Sequence, residues 1–422
     1  MAQNSKNPVR KRRVFYIPGY DPIHPRRYRE LYRKEGADQA AISGYDIALK
    51  PKTGQGPYGW HVDAVMEGAA VQADIEVLVW SDIVRDSMGK SIPATYGQLI
   101  RTAWTYIASG ALWRLMMLRK GPVIAALYPV LFLLAQLLLA LAAGHLVGSA
   151  LAYLSGFLPI RGDSTVFAAR MMLENILYLL GLAIPAWAVL NWFKRHDGRF
   201  FAYYLMHDYA YSARWRGANP PELETRMGEF GDLITDALNA DTDEVLIVGH
   251  SSGAHLAVSI LSDLIRDGRV PLNGPALGFL SLGQVVPMVS FLPDAHRLRA
   301  DLAYLSTRGE LFWLDVTAPG DGCAFALCDP VAVTGVAPAG KRWPIVISAA
   351  FTQTLSPQRW NELKRRFFRL HFQYLCAFDR PADYDYFRIT AGPMTLAARF
   401  DGRAPSKSRI ERAVSKYTAT AP

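Results

Sequence analysis

The chain has 422 residues, of which 51% are hydrophobic and only 20% charged, and its formal net charge is +9. This composition is more apolar than that of an ordinary soluble domain and indicates an added apolar segment. No recognisable nucleic-acid-binding module accompanies the positive charge, so we expect anionic lipid headgroups rather than nucleic acid as its partner. The three cysteines, Cys323, Cys328 and Cys376, are too few for a disulfide framework and wrongly spaced for a zinc site.

The first hundred residues predict two strands and one helix. Residues 14–17 form a short apolar run that ends at Pro18 and Gly19, which is typical of a strand stopped by a turn. Residues 26–41 are polar and helical in pattern, and residues 75–80 predict a second buried strand. The basic N-terminus lacks the apolar core of a signal peptide.

A long apolar region follows. Residues 96–120 combine Trp and Tyr with scattered Arg, a pattern typical either of a helix at a membrane surface or of an amphipathic helix packed on the sheet. Residues 121–160 contain no Asp, Glu, Lys or Arg, and residues 171–193 are interrupted only by Glu174. Since about 20 apolar residues span a bilayer, these stretches predict a two-helix transmembrane hairpin at residues 121–193.

The number of times that the chain crosses the bilayer follows from the sheet, and its orientation in the bilayer follows from charge. Strands before and after the hairpin must join one sheet, so we expect an even number of crossings and an interfacial extension, not a third span, at residues 144–160. Lys and Arg flank the hairpin at both ends. In the connecting loop, the positive charges of Arg161 and Arg170 are balanced by the negative charges of Asp163 and Glu174. The positive-inside rule therefore predicts an integral membrane protein with two spans, whose remaining parts face the cytoplasm.

The second half of the chain is organised around a sharp turn between a strand and a helix. Residues 245–248 form a β-branched apolar run typical of a strand buried on both faces, and apolar residues recur at helical spacing after the turn. Between them stand Gly249, His250, Ser251, Ser252 and Gly253, the pattern G-x-S-x-G. A strained turn that points a serine hydroxyl outward needs small residues at both flanks. The alternative is an ordinary strand-to-helix turn in a doubly wound sheet.

This turn resembles the nucleophile elbow of the α/β-hydrolase superfamily, most closely its lipases and esterases. The resemblance implies a mostly parallel, doubly wound sheet and a nucleophile, acid and histidine in that order along the chain. It implies that Ser251 is the nucleophile and that the backbone N–H of Ser252 binds the oxyanion. The second oxyanion donor would be the backbone N–H of Tyr20, where Pro18-Gly19 replaces the usual His-Gly pair.

Two further residues complete the implied triad. Residues 311–316 predict a strand, and the turn after it places Asp321 just beyond a carboxyl end, where the family carries its acid. Asp321 could equally be a turn aspartate bonded to its own backbone, and Asp315 and Asp329 are lesser candidates. His371 is the only histidine downstream of Asp321, which makes it the expected general base. Its alternative role is that of a packed histidine on an aromatic helix face.

The remaining segments complete the expected architecture. Residues 277–282 and 345–348 add two strands, and residues 403–422 form a loose basic tail. We expect an α/β-hydrolase-like domain built from residues 1–120 and 194–402, with the hairpin between the two parts.

The resemblance implies a membrane-embedded serine hydrolase that cleaves carboxylic esters or thioesters, and the hairpin favours acyl lipids as its substrates. The sequence carries no metal or cofactor motif, so the expected chemistry needs only side chains and water. Two alternatives stay open. One is a hydrolase-shaped membrane protein that binds a partner without turnover, and the other is an acyltransferase that uses the same elbow.

Overall fold

The computed structural model describes residues 8–20, 24–52, 54, 56–80, 82–83, 91–158 and 164–422. The chain divides into two compact units. The first unit comprises Met1–Asp86, Trp104–Ala125 and Ser212–Pro422, and the second comprises Ser87–Ala103 and Ala126–Tyr211. The first unit contains the sheet and the predicted site residues, and the second contains most of the apolar hairpin.

One eight-stranded sheet forms the core of the first unit. Its strands are β1 (Lys11–Ile17), β2 (Asp46–Pro51), β3 (Gly59–Met66), β4 (Ala69–Val77), β5 (Glu244–His250), β6 (Ala276–Leu282), β7 (Leu311–Thr317) and β8 (Ile345–Ser348). They lie in the order β2-β3-β4-β1-β5-β6-β7-β8. All neighbours pair in parallel except β3, which runs antiparallel to β2 and to β4. The protein therefore has an α/β fold with a mostly parallel sheet.

Helices occupy most of the remaining chain. Before β5 these are α1 (Arg26–Ser43), α2 (Ile92–Ala108), α3 (Ala111–Leu118), α4 (Lys120–Ser155), α5 (Ser164–Arg195), α6 (Asp197–Phe200), α7 (Ala202–Arg214) and α8 (Pro221–Leu238). After β5 they are α9 (Gly253–Arg266), α10 (Val286–Ser290), α11 (His296–Leu305), α12 (Pro330–Thr334), α13 (Phe351–Thr354), α14 (Pro357–Leu363), α15 (Phe367–His371), α16 (Tyr386–Ala391) and α17 (Leu396–Arg399).

The strands predicted as continuous apolar runs are confirmed, because burial on both faces is what such runs require. All seven residues of β5 and of β7 are buried. The strand predicted at 75–80 ends earlier, at Val77, and begins at Ala69. The apolar runs of the sequence did not predict β2 or β3. β3 alternates buried and less buried residues, the period-two pattern of a strand with one covered face.

Two very long helices interrupt the sheet-forming sequence. α4 has 36 residues and α5 has 32, and by length and composition both are apolar enough to cross a membrane. α4 continues without a break to Ser155, so the described part of residues 144–160 belongs to one long first helix and not to a separate third one. Arg161 and Asp163 of the connecting loop lie outside the described residues.

Glycines bring α4 and α5 into close contact within the second unit. A Cβ atom on Gly144 would lie 2.3 Å from the carbonyl oxygen of Leu182, and one on Gly148 would lie 2.7 Å from that of Tyr178. Gly181 of α5 packs in turn on the backbone of Gly148. Gly144 and Gly148 form a G-x-x-x-G pattern, which permits two helices to approach closely.

Two other segments differ from their expected form. Residues 96–120 form two helices rather than one, separated at Gly110, whose φ is +76°. α3 packs through Ala111, Leu115 and Leu118 while Trp113 on its opposite face is exposed, so it is apolar on two sides. The C-terminal segment expected to be loose is packed instead, because Val414 is buried and its N–H donates to Val333.

Candidate active site

The G-x-S-x-G turn connects β5 to α9 with the serine in left-handed backbone geometry. The φ of Ser251 is +57°, a conformation that residues with side chains rarely adopt. A Cβ atom on Gly249 would lie 2.7 Å from Cα of Ala254, and one on Gly253 would lie 2.1 Å from the carbonyl oxygen of Ile17. Both positions therefore require glycine, which is the steric demand expected of a nucleophile elbow.

The loop after β1 covers the serine closely. A Cβ atom on Gly19 would lie 2.9 Å from Cβ of Ser251, so no side chain fits there. The predicted oxyanion donor Tyr20 follows directly, and its N–H donates to the hydroxyl oxygen of Ser252 at 3.0 Å. Among the described residues, the backbone N–H of Ser252 has no hydrogen-bond acceptor. The two predicted oxyanion donors thus lie beside each other. The N–H of Tyr20 is already hydrogen-bonded to the side chain of Ser252.

Asp321 and His371, which are 50 positions apart in the chain, form a buried hydrogen-bonded pair. Nδ1–H of His371 donates to Oδ2 of Asp321 at 2.7 Å. Because a carboxylate can only accept, the proton lies on Nδ1 and leaves Nε2 of the neutral ring as an acceptor. Burial opposes ionisation of Asp321, but the neighbouring His371 and several hydrogen bonds hold the pKa of this carboxyl below its ordinary value.

Two further groups hold the Asp321 carboxylate in place. The hydroxyl of Tyr374 donates to Oδ2 at 3.0 Å, and the backbone N–H of Cys323 donates to Oδ1 at 2.8 Å. The Tyr374 hydroxyl also accepts from the N–H of Ala318 at 3.0 Å, which orients its own proton. Tyr374 was not among the residues predicted from the sequence. Tyr374 lies three residues after His371. This spacing would have pointed to Tyr374 only if His371 had already been known to lie in the site.

His250, the variable residue before the serine, is buried against the His371 segment. Its Nε2 lies 3.1 Å from the carbonyl oxygen of His371, and its Nδ1 lies 3.1 Å from the hydroxyl of Tyr16. The two imidazole rings stack with centroids 4.8 Å apart. Burial and the nearby His371 lower the pKa of His250 to about 3, so the ring is neutral near pH 7. The carbonyl fixes its proton on Nε2, and Nδ1 accepts from Tyr16.

The end of β6 brings Ser251 and His371 to the same place. The N–H of Ser251 donates to the carbonyl oxygen of Leu282 at 2.9 Å. The next residue, Gly283, has a φ of +53°, and a Cβ atom there would lie 3.0 Å from Cε1 of His371. The structure thus brings all three predicted triad residues to one edge of the sheet. Within the part of the chain that the structure describes, the hydroxyl of Ser251 and the ring of His371 form no hydrogen bond with each other.

The lesser candidates lie elsewhere. Asp315 is buried within β7 and accepts from the hydroxyl of Ser281 at 2.6 Å. Asp329 caps α12 and pairs with Lys341. His255 is buried one turn into α9, and burial lowers its pKa to about 4.

One donor set at the site could hold a metal ion. Asp321, Cys323 and His371 each offer a ligating atom, and these atoms lie within 4.8 Å of one another. The set is chemically suited to Zn²⁺, but the hydrogen bond between Asp321 and His371 uses two of the three ligands. A metal bound through Nδ1 of His371 would displace the proton that this bond requires.

No protein-family model, no curated protein and no solved structure matches this chain. The likeness to α/β-hydrolases therefore rests on the turn at Ser251, the mostly parallel sheet and the side chains around them.

Proposed function

We propose that the protein is a membrane-embedded serine hydrolase that cleaves a carboxylic ester or thioester of an acyl lipid. The observation that carries this proposal is the buried hydrogen bond of 2.7 Å between His371 and Asp321 at the sheet edge that also bears Ser251. A serine hydroxyl becomes a competent nucleophile when a histidine accepts its proton and a carboxylate fixes the tautomer of that histidine.

The reaction would proceed through an acyl-enzyme. Oγ of Ser251 attacks the substrate carbonyl while its proton passes to Nε2 of His371, and Asp321 stabilises the imidazolium that forms. His371 then returns the proton to the departing alcohol or thiol. In the second half, His371 takes a proton from water while the water oxygen attacks the acyl carbon. The bond between that carbon and Oγ of Ser251 then breaks, and His371 returns the proton to Oγ, which releases the carboxylic acid and restores Ser251. Atoms and charges balance with water as the only co-reactant.

The oxyanion formed in each half requires hydrogen-bond donors. We assign this role to the backbone N–H groups of Ser252 and Tyr20, which lie at the start of α9 and in the loop after β1. The Tyr20 N–H is bonded to the Ser252 hydroxyl, so that hydroxyl must rotate away when substrate binds. This occupied donor is the one observation that favours the alternative of a binding protein without turnover.

The membrane assignment is supported by the hairpin. Only 6% of the most apolar 18-residue stretch of α5 is buried, and such exposure of apolar side chains is costly in water and favourable in lipid. The close glycine contacts between α4 and α5 suit helices that associate without a hydrophobic driving force. We further propose that the hydrolase unit faces the cytoplasm, because Lys194 and Arg195 end α5 and Lys120 begins α4.

A fluorophosphonate probe tests the catalytic proposal directly, because it reacts only with an activated serine. Full-length protein in detergent should be labelled at Ser251, and Ser251→Ala and His371→Gln should abolish the labelling. Ser408→Ala, at an exposed serine outside the site, is the matched control and should be labelled like the wild type. Wild-type protein that circular dichroism shows to be folded but that the probe does not label would favour the binding-protein alternative.

Product analysis with added acceptor alcohols separates hydrolysis from acyl transfer.

A further inference from the structure

A strongly basic and aromatic segment directly precedes His371. Residues 364–369 have the sequence Lys-Arg-Arg-Phe-Phe-Arg, and all six side chains are exposed. Phe367 is 54% exposed and Phe368 is 42% exposed. Phe367 thus exposes much of a large apolar ring next to four cations, and exposed apolar surface of this kind marks a site of interaction.

The cations of this segment lack counter-charges in the described part of the structure. Arg365, Arg366 and Arg369 form no ion pair there, and Lys364 bonds only to the amide oxygen of Asn361. By contrast, the nearby Arg359 pairs with Glu35 and Asp379. The segment thus presents four positive charges with Glu362 as the one carboxylate beside it in the sequence.

The segment is held against the loop that carries Asp321. The ring of Trp360 lies 2.7 Å from where a Cβ atom on Gly320 would be, and the ring of Phe367 lies 3.0 Å from the corresponding position of Gly322. Trp360, four residues before the segment, and Phe367 within it therefore pack on either side of Asp321. The exposed basic surface is a rim of the proposed site.

The same loop contacts the start of the apolar hairpin. A Cβ atom on Gly121, the second residue of α4, would lie 3.3 Å from the carbonyl oxygen of Gly322. Ile124, in the next turn of α4, is exposed. Phe367 and the beginning of α4 therefore both lie against Gly322, a residue of the first unit. The aromatic segment is continuous with the place where the chain enters its apolar helices.

We propose that residues 364–369 bind the headgroup surface of an anionic phospholipid bilayer. The phenyl rings insert at headgroup level and the four cations contact lipid phosphates, the combination that anchors peripheral segments to anionic leaflets. This deepens the proposed function, on which it rests, because an acyl lipid would then reach Ser251 from that surface. Nucleic acid also carries phosphates, but continuity with α4 favours the bilayer.

Chemical modification tests the docking independently of catalysis. Full-length protein is reconstituted in nanodiscs of phosphatidylcholine alone or mixed with phosphatidylglycerol, and lysine acetylation and arginine modification are read by mass spectrometry. Each cation held near an anionic surface should react about fivefold more slowly when phosphatidylglycerol is present. Lys407, an exposed lysine of the C-terminal segment, is the control and should react equally in both lipids. Equal reactivity of residues 364–369 in the two lipids would overturn the proposal.

Variants give a second readout. Replacing Lys364, Arg365, Arg366 and Arg369 by Gln should reduce the ratio of ester hydrolysis in anionic to that in zwitterionic nanodiscs, whereas Arg→Lys changes at the three arginines should preserve it. A single-stranded RNA that protects the segment as well as phosphatidylglycerol does would also overturn the proposal. If Ser251 proves unreactive while the lipid-dependent protection persists, the proposed enzyme activity fails and the docking surface stands.

Discussion

Nε2–H of His250 donates to the backbone carbonyl oxygen of His371, across 121 positions of sequence. The residue before the serine is therefore connected directly to the segment that carries the proposed general base. The carbonyl can only accept, so it fixes the proton of His250 on Nε2, and Nδ1 then accepts from the hydroxyl of Tyr16. We infer that His250 positions the His371 backbone and that its role is not limited to filling space in the turn.

His250→Leu should slow fluorophosphonate labelling of Ser251 by about tenfold, since it removes a buried donor and leaves a carbonyl unpaired. His250→Gln keeps an N–H that can reach the carbonyl and should recover most of the rate. Labelling rates of purified variants with matched melting temperatures give the comparison. Equal rates for the Leu and Gln variants would mean that the residue acts only through packing.

Ser252→Ala should free the N–H of Tyr20 from its resting hydrogen bond at 3.0 Å. If this donor serves the oxyanion, labelling should be as fast as in the wild type or faster, because no hydroxyl has to rotate away. Ser252→Thr keeps the hydroxyl and is the matched control. A large loss of rate in Ser252→Ala alone would show that the hydroxyl itself is needed.

The pKa of Asp315 predicts a pH-dependent stability difference. Burial raises this pKa from 3.8 to about 8, so the folded protein binds the proton more tightly than the unfolded chain. The contribution of this group to stability is therefore complete at low pH and is lost as the pH rises toward 8. The loss amounts to about 1.4 kcal/mol per pH unit between the two pKa values.

Asp315→Asn cannot titrate and should lack this slope. The free energy of unfolding of the variant minus that of the wild type should increase steadily between pH 5 and pH 8, because only the wild type loses stability over this range. Chemical denaturation at several pH values measures it. Asp236→Asn, at an exposed position on α8, is the control and should track the wild type across the range. A pH-independent difference for Asp315→Asn would contradict the assignment.

The glycine contacts of the hairpin predict which substitutions it tolerates. Gly148→Ala should lower the melting temperature in detergent, because its new Cβ would lie 2.7 Å from a backbone oxygen of α5. Gly97→Ala, in α2, meets no atom within 4 Å and should be neutral or stabilising, since alanine favours helix by up to about 1 kcal/mol over glycine. Equal effects of the two changes would argue against tight packing of α4 on α5.

The possible metal ligands at the site can be separated from the hydrogen-bonded pair. If Asp321 and His371 act as proposed, chelators should leave labelling of Ser251 unchanged. Added Zn²⁺ should inhibit it by taking the imidazole and the thiol of Cys323, and Cys323→Ser should weaken that inhibition. Loss of labelling on chelation, restored by Zn²⁺, would instead assign the site to a metal.

Local features of the chain were open to sequence reasoning. The continuous apolar runs predicted β1, β5, β6, β7 and β8, because strands buried on both faces must be apolar throughout. Glycines at 249 and 253 marked the sharp turn, since only a missing Cβ permits that backbone. The two apolar helices were apparent from length and composition alone. β2 was missed because its sequence, Asp-Ile-Ala-Leu-Lys-Pro, has no such run.

Contacts between distant residues were decided by the tertiary structure. Chain order narrowed the acid to three aspartates, but only the parallel pairing of β5, β6 and β7 sets Asp321 beside His371 and leaves Asp315 inside the sheet. Tyr374, Tyr16 and the role of His250 carry no local signature, because a hydrogen bond across a hundred residues depends on how strands pair. Backbone geometry and burial are properties of short segments, whereas the geometry of a site belongs to the whole sheet.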